Sequence, residues 1–301
     1  MIRIYFLPFT AILVSVIFIL RLVNLQIIDS SYKLLSDNNA VFEQTLFPER
    51  GLIFDRNGKV LVSNKSSYDL MGIPENISVF DTIELSNILK VDKKLLVSNL
   101  NKARKFSSKL PSIIIPAIPK EINAVIQEKI WKYDGFYLQK KSTRHYPEAV
   151  AANILGYVSE VNKNDIKKST YYQSGDLIGR QGIEKYYEND LRGTKGKKFY
   201  QKDRFNRIIG SYENGKFDIS PKNSNNLSLT VDLTIQKYGE KLMENKWGGI
   251  VAIQPSTGEV LALVSAPSYN PNLLVGRERS KNYSNLSLDT ISKPLFDRSL
   301  Q

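Results

Sequence analysis

Few side chains in this sequence could carry out covalent chemistry. His145 is its single histidine, and it has no cysteine. That excludes a thiolate nucleophile, an iron–sulfur cluster, Cys-ligated zinc and any mechanism that needs two histidines. A Ser-His-Asp triad could run only through His145. A serine three residues before a lysine is a second arrangement, in which the lysine accepts the hydroxyl proton during acyl transfer. Ser30 and Lys33 have that spacing, and Ser36-Asp37-Asn38 follows them. On an exposed segment water keeps such a lysine protonated, with a pKa near about 10.4, and the hydroxyl stays unactivated. The pair therefore reads as a coincidence. Gly193–Lys198 (GTKGKK) approximates a phosphate loop but fails it twice, with Leu191 where a glycine is needed and Lys198 where a hydroxyl is needed. It reads as a basic turn. His145 reads as structural.

The elements that would position any site begin with an apolar run. Ile4–Leu20 is 17 residues without a charge, about 26 Å of helix at roughly 1.5 Å per residue. No small-x-small cleavage site follows it, which favours an uncleaved membrane anchor over a signal peptide. The remaining chain has no second run of that length. It is basic, with 42 Lys+Arg against 30 Asp+Glu, and its apolar content of 42% suits a globular fold. From Arg192 to Lys216 eight cationic residues face two acidic ones. Without regular aromatic interleaving the run does not read as a nucleic-acid surface. It reads as solvated charge, with anionic lipid or an acidic polymer as the binding alternative.

Local signals divide the rest. Asn57-Gly58 between two apolar runs predicts a β-hairpin, with positive φ tolerated at both positions. Helical spacing covers Asp81–Lys90, Asp92–Lys105 and Pro119–Tyr133, with Asp81 and Asp92 as N-caps. Ser112–Ala117 and Phe136–Arg144 read as strands, and Glu148–Leu155 as a short helix. Asp218–Asn226 is the best candidate linker. Beyond it come a strand at Leu227–Val231, a helix over Leu233–Asn245 capped by Asp232, and strands at Gly249–Gln254 and Glu259–Ser265. The chain after Ala266 reads as loop. Ile250–Ile253 and Leu261–Val264 are apolar on both faces and need cover on both sides. The residues after Ser265 do not supply it, so the last unit reads as the incomplete start of a domain.

Taken in order, these segments resemble the class B penicillin-binding proteins, most of all the elongation-type subgroup. The resemblance rests on Arg50-Gly51 leading into Asp55-Arg56-Asn57-Gly58, on Leu155-Gly156-Tyr157-Val158, and on Gly179-Arg180-Gln181-Gly182-Ile183-Glu184 with Tyr187-Glu188 and Leu191-Arg192-Gly193. It continues through Leu229–Asp232, Gly249–Ala266 and Pro294–Arg298. It implies an α+β fold of three parts: a transmembrane anchor at 1–28, a pedestal of the dimerisation type at 29–225 with a head inserted at about 77–147, and the start of a serine transpeptidase domain at 226–301. It implies peptidoglycan D,D-transpeptidation by a penicillin-sensitive acyl-enzyme, in a single-pass protein of the bacterial inner membrane whose bulk is periplasmic. Implied partners are the membrane, a SEDS-type glycosyltransferase, other elongation-complex proteins and, for a full-length form, peptidoglycan stem peptides, with no nucleic acid. The family's three motifs are S-x-x-K, S-x-N and K-[ST]-G. The third is absent, since Ser256-Thr257-Gly258 follows Pro255. The chain thus reads as ending before the nucleophile, with no catalytic, cofactor-binding or metal-ligating residue to name. A membrane-anchored, non-catalytic scaffold that binds a wall-synthesis glycosyltransferase is the alternative reading.

Overall fold

A computed structural model describes residues 14–18, 41–203 and 208–300. A helical stretch covers 14–18, and the rest of the expected anchor, with Ser30, Lys33 and Ser36-Asp37-Asn38, lies outside the described residues. Among the described residues no helix is long and apolar enough to cross a membrane. In chain order the elements are β1 (Val41–Leu46), β2 (Ile53–Phe54), β3 (Val60–Gly72), α1 (Thr82–Leu89), α2 (Lys93–Phe106), β4 (Ser112–Pro119), α3 (Lys120–Lys129), β5 (Phe136–His145), α4 (Ala152–Leu155), β6 (Val158–Glu160) and α5 (Lys163–Lys168). They continue with β7 (Leu177–Gly179), α6 (Gly182–Tyr186), α7 (Glu188–Leu191), β8 (Gly196–Lys202), β9 (Ile208–Ser211), β10 (Leu227–Ser228), α8 (Leu233–Leu242), β11 (Gly248–Ile253), β12 (Val260–Ala266) and α9 (Arg279–Leu288). The fold is mixed α+β.

Two compact units result. The first joins the described residues up to Leu46 with Gly196–Ser220. It is a three-stranded antiparallel sheet in the order β1-β8-β9, with the Lys202 ammonium 4.6 Å from the Phe42 ring centre and the Lys197–Glu43 pair at its surface.

The second unit takes in Phe47–Lys195 and Pro221–Gln301. Its spine is β3, whose 13 residues extend over about 43 Å at roughly 3.3 Å each. The strand pairs antiparallel with β2, β4 and β5, and β10 adds parallel to β2. It therefore runs through two cores. Leu61 and Val62 enter one with Ile53, Tyr146, Leu155, Leu191 and Leu233. Leu70 enters the other with Leu85, Leu89, Leu96, Leu100, Ile114 and Ile126, from the helices and β4. The two helix starts match expectation: the Asp81 carboxylate accepts from the backbone N–H of Ile83 and Glu84, and Asp92 accepts from Lys94.

The hairpin forms where Asn57-Gly58 predicts it, but by a different turn. Only Gly58 has positive φ, at 79°. The reason is Asp55, whose Oδ1 accepts from the N–H of both Asn57 (2.8 Å) and Lys59 (2.7 Å). That bond pattern fixes the turn around the aspartate and leaves one left-handed position. The expected helix over Glu148–Leu155 shortens to Ala152–Leu155, because Ala151 before it is left-handed, with φ 58°. The expected linker is stitched down: Thr194 and Lys222 exchange backbone bonds, Asn225 N–H reaches Asp190 O, and Asn226 Oδ1 accepts from Leu52 N–H. The strand after it, β10, joins the β2–β3 sheet and not β11–β12. The chain after Ala266 is not all loop, since α9 forms there.

The β11–β12 hairpin is covered by α8 on one face. Gln236 on that helix accepts from Leu263 N–H through its Oε1 and donates to Leu263 O through its Nε2. The other face of β11 is open, with Val251 and Ile253 exposed. This agrees with a strand whose apolar residues point both ways.

Gly58 has no atom near the place where a Cβ would go, so a side chain there meets strain and not a clash. Replacing it with valine should lower stability by about 1–2 kcal/mol, read as a shift in the denaturant midpoint. An unchanged midpoint would argue against the turn.

Candidate functional site

Arg50 stands four residues after the end of β1, at the entry to the hairpin, and Glu184 lies 134 residues later on α6. Their contact is buried: Arg50 Nε donates to Glu184 Oε2 at 2.7 Å and Nη2 donates to Glu188 Oε2 at 2.5 Å. Arg144, on β5, approaches from the other side and donates through Nε to Glu184 Oε1 at 2.6 Å. Its Nη1 donates to Asn64 Oδ1 at 2.8 Å, and Asn64 Nδ2 donates back to Arg50 O. Glu188 also accepts from the Tyr172 hydroxyl and from Gly179 N–H. Two guanidiniums thus face two carboxylates, with Glu184 fully buried.

The two arginines respond differently to one environment. Burial works against the charge of Arg50, but Glu184 and Glu188 together outweigh it and raise its pKa. Burial also opposes the charge of Arg144, which has Glu184 alone as carboxylate partner and feels the repulsion of Arg50, so its pKa is lowered. Tyr172, beside Glu188, is pushed up to about 12, by burial first and by that carboxylate second.

The other end of the same segment does a second job. Asp55 Oδ2 accepts from Leu233 N–H at 3.2 Å, at the first turn of α8. Asn57 Nδ2 donates to Asp232 Oδ2 at 2.9 Å, and Arg56 N–H donates to Val231 O at 3.0 Å. Asp232 is itself the cap of α8, accepting from Thr234 and Ile235 N–H. Residues 50–59 therefore join the ionic cluster at one end to the start of the last segment at the other.

Two motifs interlock beside the cluster. Gly156 has φ 75°, and a Cβ there would lie 1.9 Å from Gln181 O. The Tyr146 hydroxyl donates to Gly156 O at 2.9 Å from a fully buried position. Tyr157, next along, packs with Tyr269 and Leu274. The residues that carry the resemblance thus meet in space although the chain scatters them.

The remaining candidates fall as follows. His145 is exposed at the end of β5, and its backbone carbonyl accepts from Ser63 Oγ. In Gly193–Lys198 the N–H groups of Thr194 and Lys197 are spent on the carbonyls of Lys222 and Ile219, so the turn offers no phosphate cradle. Among the described residues no group of His, Cys, Asp or Glu is arranged to hold a metal. Of the basic run, Arg204 and Arg207 lie outside the described residues. The Arg192 guanidinium stacks on Tyr171 at 4.0 Å, and Lys195 pairs with Asp176. Sequence reasoning named none of these inward roles, nor the buried pairing of Arg144, whose neighbours Thr143 and His145 give no sign of it.

A family model described as the penicillin-binding protein dimerisation domain matches residues 45–229. The chain belongs to that family. Among curated proteins it is similar to peptidoglycan D,D-transpeptidase MrdA of Acinetobacter baumannii, at 35% identity over 272 residues, which are 88% of this chain and 40% of that protein. MrdA of Escherichia coli K12 is 32% identical over 300 residues, covering 96% of this chain and 46% of that protein. Among solved structures, the complex between PBP2 and MreC from Helicobacter pylori matches with a TM-score of 0.70 at 27% identity, over 86% of this chain and 49% of that one. The chain spans less than half the length of these curated relatives.

Because each carboxylate in the cluster is shared, removing one partner strands a buried charge. Glu184→Gln should destabilise the protein by about 3–5 kcal/mol, and Arg50→Met with Glu184→Leu should cost less than the sum of the single changes. Denaturant unfolding of the wild type, Glu184→Gln, the two single variants of the cycle and the double variant measures both. Asp55→Ala removes two turn bonds and the bond to Leu233. It should make residues 226–300 more sensitive to limited proteolysis while β3–β5 stay protected.

Proposed function

We propose that this chain is the pedestal-bearing part of an elongation-type peptidoglycan D,D-transpeptidase, the reading supported by its family and by its MrdA relatives. The observation that carries it is the double attachment of residues 50–59. Arg50 sits in the buried cluster, while Asp55 and Asn57 hold the first turn of α8. A segment fixed at both ends gives the pedestal a stiff hold on whatever α8 and β11–β12 belong to. In this reading residues 1–28 are the anchor, 29–225 the pedestal with its head at about 77–147, and 226–301 the opening of the transpeptidase domain. The bulk of the protein faces the periplasm from a single span of the inner membrane. Its partners are elongation-complex proteins, including a SEDS-type glycosyltransferase and an MreC-like protein, and a full-length form acts on stem peptides. The serine nucleophile is supplied by neither Ser30 nor any serine of the described residues.

Two measurements test this. A periplasm-dependent reporter fused after Gln301 should be active, and activity of a cytoplasm-dependent reporter there would overturn the topology. The 301-residue chain should form no covalent adduct with a fluorescent penicillin, whereas the same chain joined to the remaining residues of an MrdA relative should label. Labelling of the 301-residue chain that Ser30→Ala abolishes would sink the reading, because it would place the nucleophile in the N-terminal segment.

A further inference from the structure

The charge on α2 is balanced by no contact in the fold. Between Asp92 and Glu121 the chain has seven cationic residues and no acidic one. α2 holds five of them: Lys93, Lys94, Lys102, Arg104 and Lys105. Its apolar stripe of Leu96, Leu100 and Ala103 is buried in the core, and all five cations are exposed. Among the described residues none of the five is ion-paired. Two carboxylates come near. Glu75 is drawn in by its N–H, which donates to Ser108 O, and Glu160 lines the neighbouring cleft with Lys102. Neither pairs with a cation of α2.

This arrangement works against the helix. Positive side chains are unfavourable at a helix N-terminus, where the dipole is itself positive. α2 begins with two lysines and has no acidic residue in its first turn. The carboxylate of its cap, Asp92, is spent on the N–H of Lys94. Lys102 and Lys105 stand three residues apart and repel each other. An element that breaks a local rule without a compensating contact marks a place where something besides stability decides the sequence. An anion lying along this face would supply the missing compensation.

The pattern limits what that anion is. At 3.6 residues per turn, Lys94, Ser98, Asn101, Lys102 and Lys105 share the outer face, and with Lys93 they line a shallow cleft. Lys94 and Lys102 are about 12 Å apart along the axis at roughly 1.5 Å per residue, with Lys105 about 4–5 Å further on. Charges that sparse do not match a compact anion. Ser98 and Asn101, neutral and able to hydrogen-bond, fill the gap between them. No aromatic side chain occurs from Lys94 to Lys105, so a nucleic-acid base has nothing to stack on. A bilayer takes the apolar stripe of a surface helix, and the stripe of α2 is already buried. What fits is a linear chain whose anionic groups are set between neutral, hydroxyl-bearing units.

We propose that the outer face of α2 binds an acidic polysaccharide, with its carboxylates on Lys94, Lys102 and Lys105 and its hydroxyls on Ser98 and Asn101. The inference stands on this helix and does not rest on the transpeptidase reading.

The test is fluorescence anisotropy of an end-labelled hyaluronan oligosaccharide, which carries one carboxylate per disaccharide, titrated with the 301-residue chain in a neutral detergent. Saturable binding that weakens as salt is raised is expected. The triple variant Lys94→Gln, Lys102→Gln, Lys105→Gln should weaken it by about tenfold with unchanged circular dichroism. A control triple on α5, Lys163→Gln, Lys167→Gln, Lys168→Gln, removes the same net charge from another exposed helix and should leave binding as it was. Equal weakening by the two triples would reduce the effect to overall charge and overturn the proposal. So would the absence of saturable binding, or binding of labelled polyphosphate with none of hyaluronan, which would put a denser anion on the face.

Discussion

The buried contact of Arg50 with Glu184 and Glu188 is the constraint on which the second unit depends. Taking ions out of water costs several kcal/mol each, and only close, fully bonded geometry returns it. Three neighbouring residues serve that geometry. Asn64 bridges Arg144 and the Arg50 carbonyl. Tyr172 and Gly179 occupy the second oxygen and spare lone pair of Glu188. The close approach at Gly156 brings the 179–184 turn to the place where Glu184 can reach both arginines. A cluster of this kind selects one arrangement more than it adds to stability, since every alternative register would bury a charge unpaired.

The same logic explains why the hairpin at 50–59 is built from polar residues that look loop-like. Asp55 organises its own turn and then reaches Leu233 with its other oxygen. Asn57 adds to Asp232, whose pKa is lowered, first by that bond and further by the α8 N–H groups it caps. The hairpin acts as a two-ended brace, and β3 carries its position outward into the helix-covered core around Leu70.

Much of this architecture was legible in the residues. The caps at Asp81 and Asp92, the strands at 112 and 136 and the hairpin at Asn57-Gly58 follow from local chemistry, and local chemistry decided them. What failed was decided at a distance. The turn type depended on a side chain two residues before it. The 218–226 segment reads as linker by composition, yet its backbone groups find partners at Leu52, Asp190 and Thr194. The strand at 227 joined β2, and no local signal announces a parallel partner 174 residues away. Of the candidate site, the motif residues Arg50 and Glu184 were visible as a resemblance. The buried pairing of Arg144 was not, because burial of an arginine is a property of the surroundings.

That distance has a consequence in time. Arg50 and Glu184 are separated by 134 residues, so during synthesis at roughly 5–20 residues per second the arginine waits about 7–27 s for its counter-ion. Asp55 waits longer for Leu233. Over that interval β2 has an unpaired edge, and a two-residue strand cannot hold it closed by itself. Long-range closure of this kind makes folding slow and leaves early segments open to wrong partners. The helix-rich stretch from 82 to 129 closes largely on itself through neighbouring elements. It is the part of the chain able to order first and to shelter β3 until the ions meet.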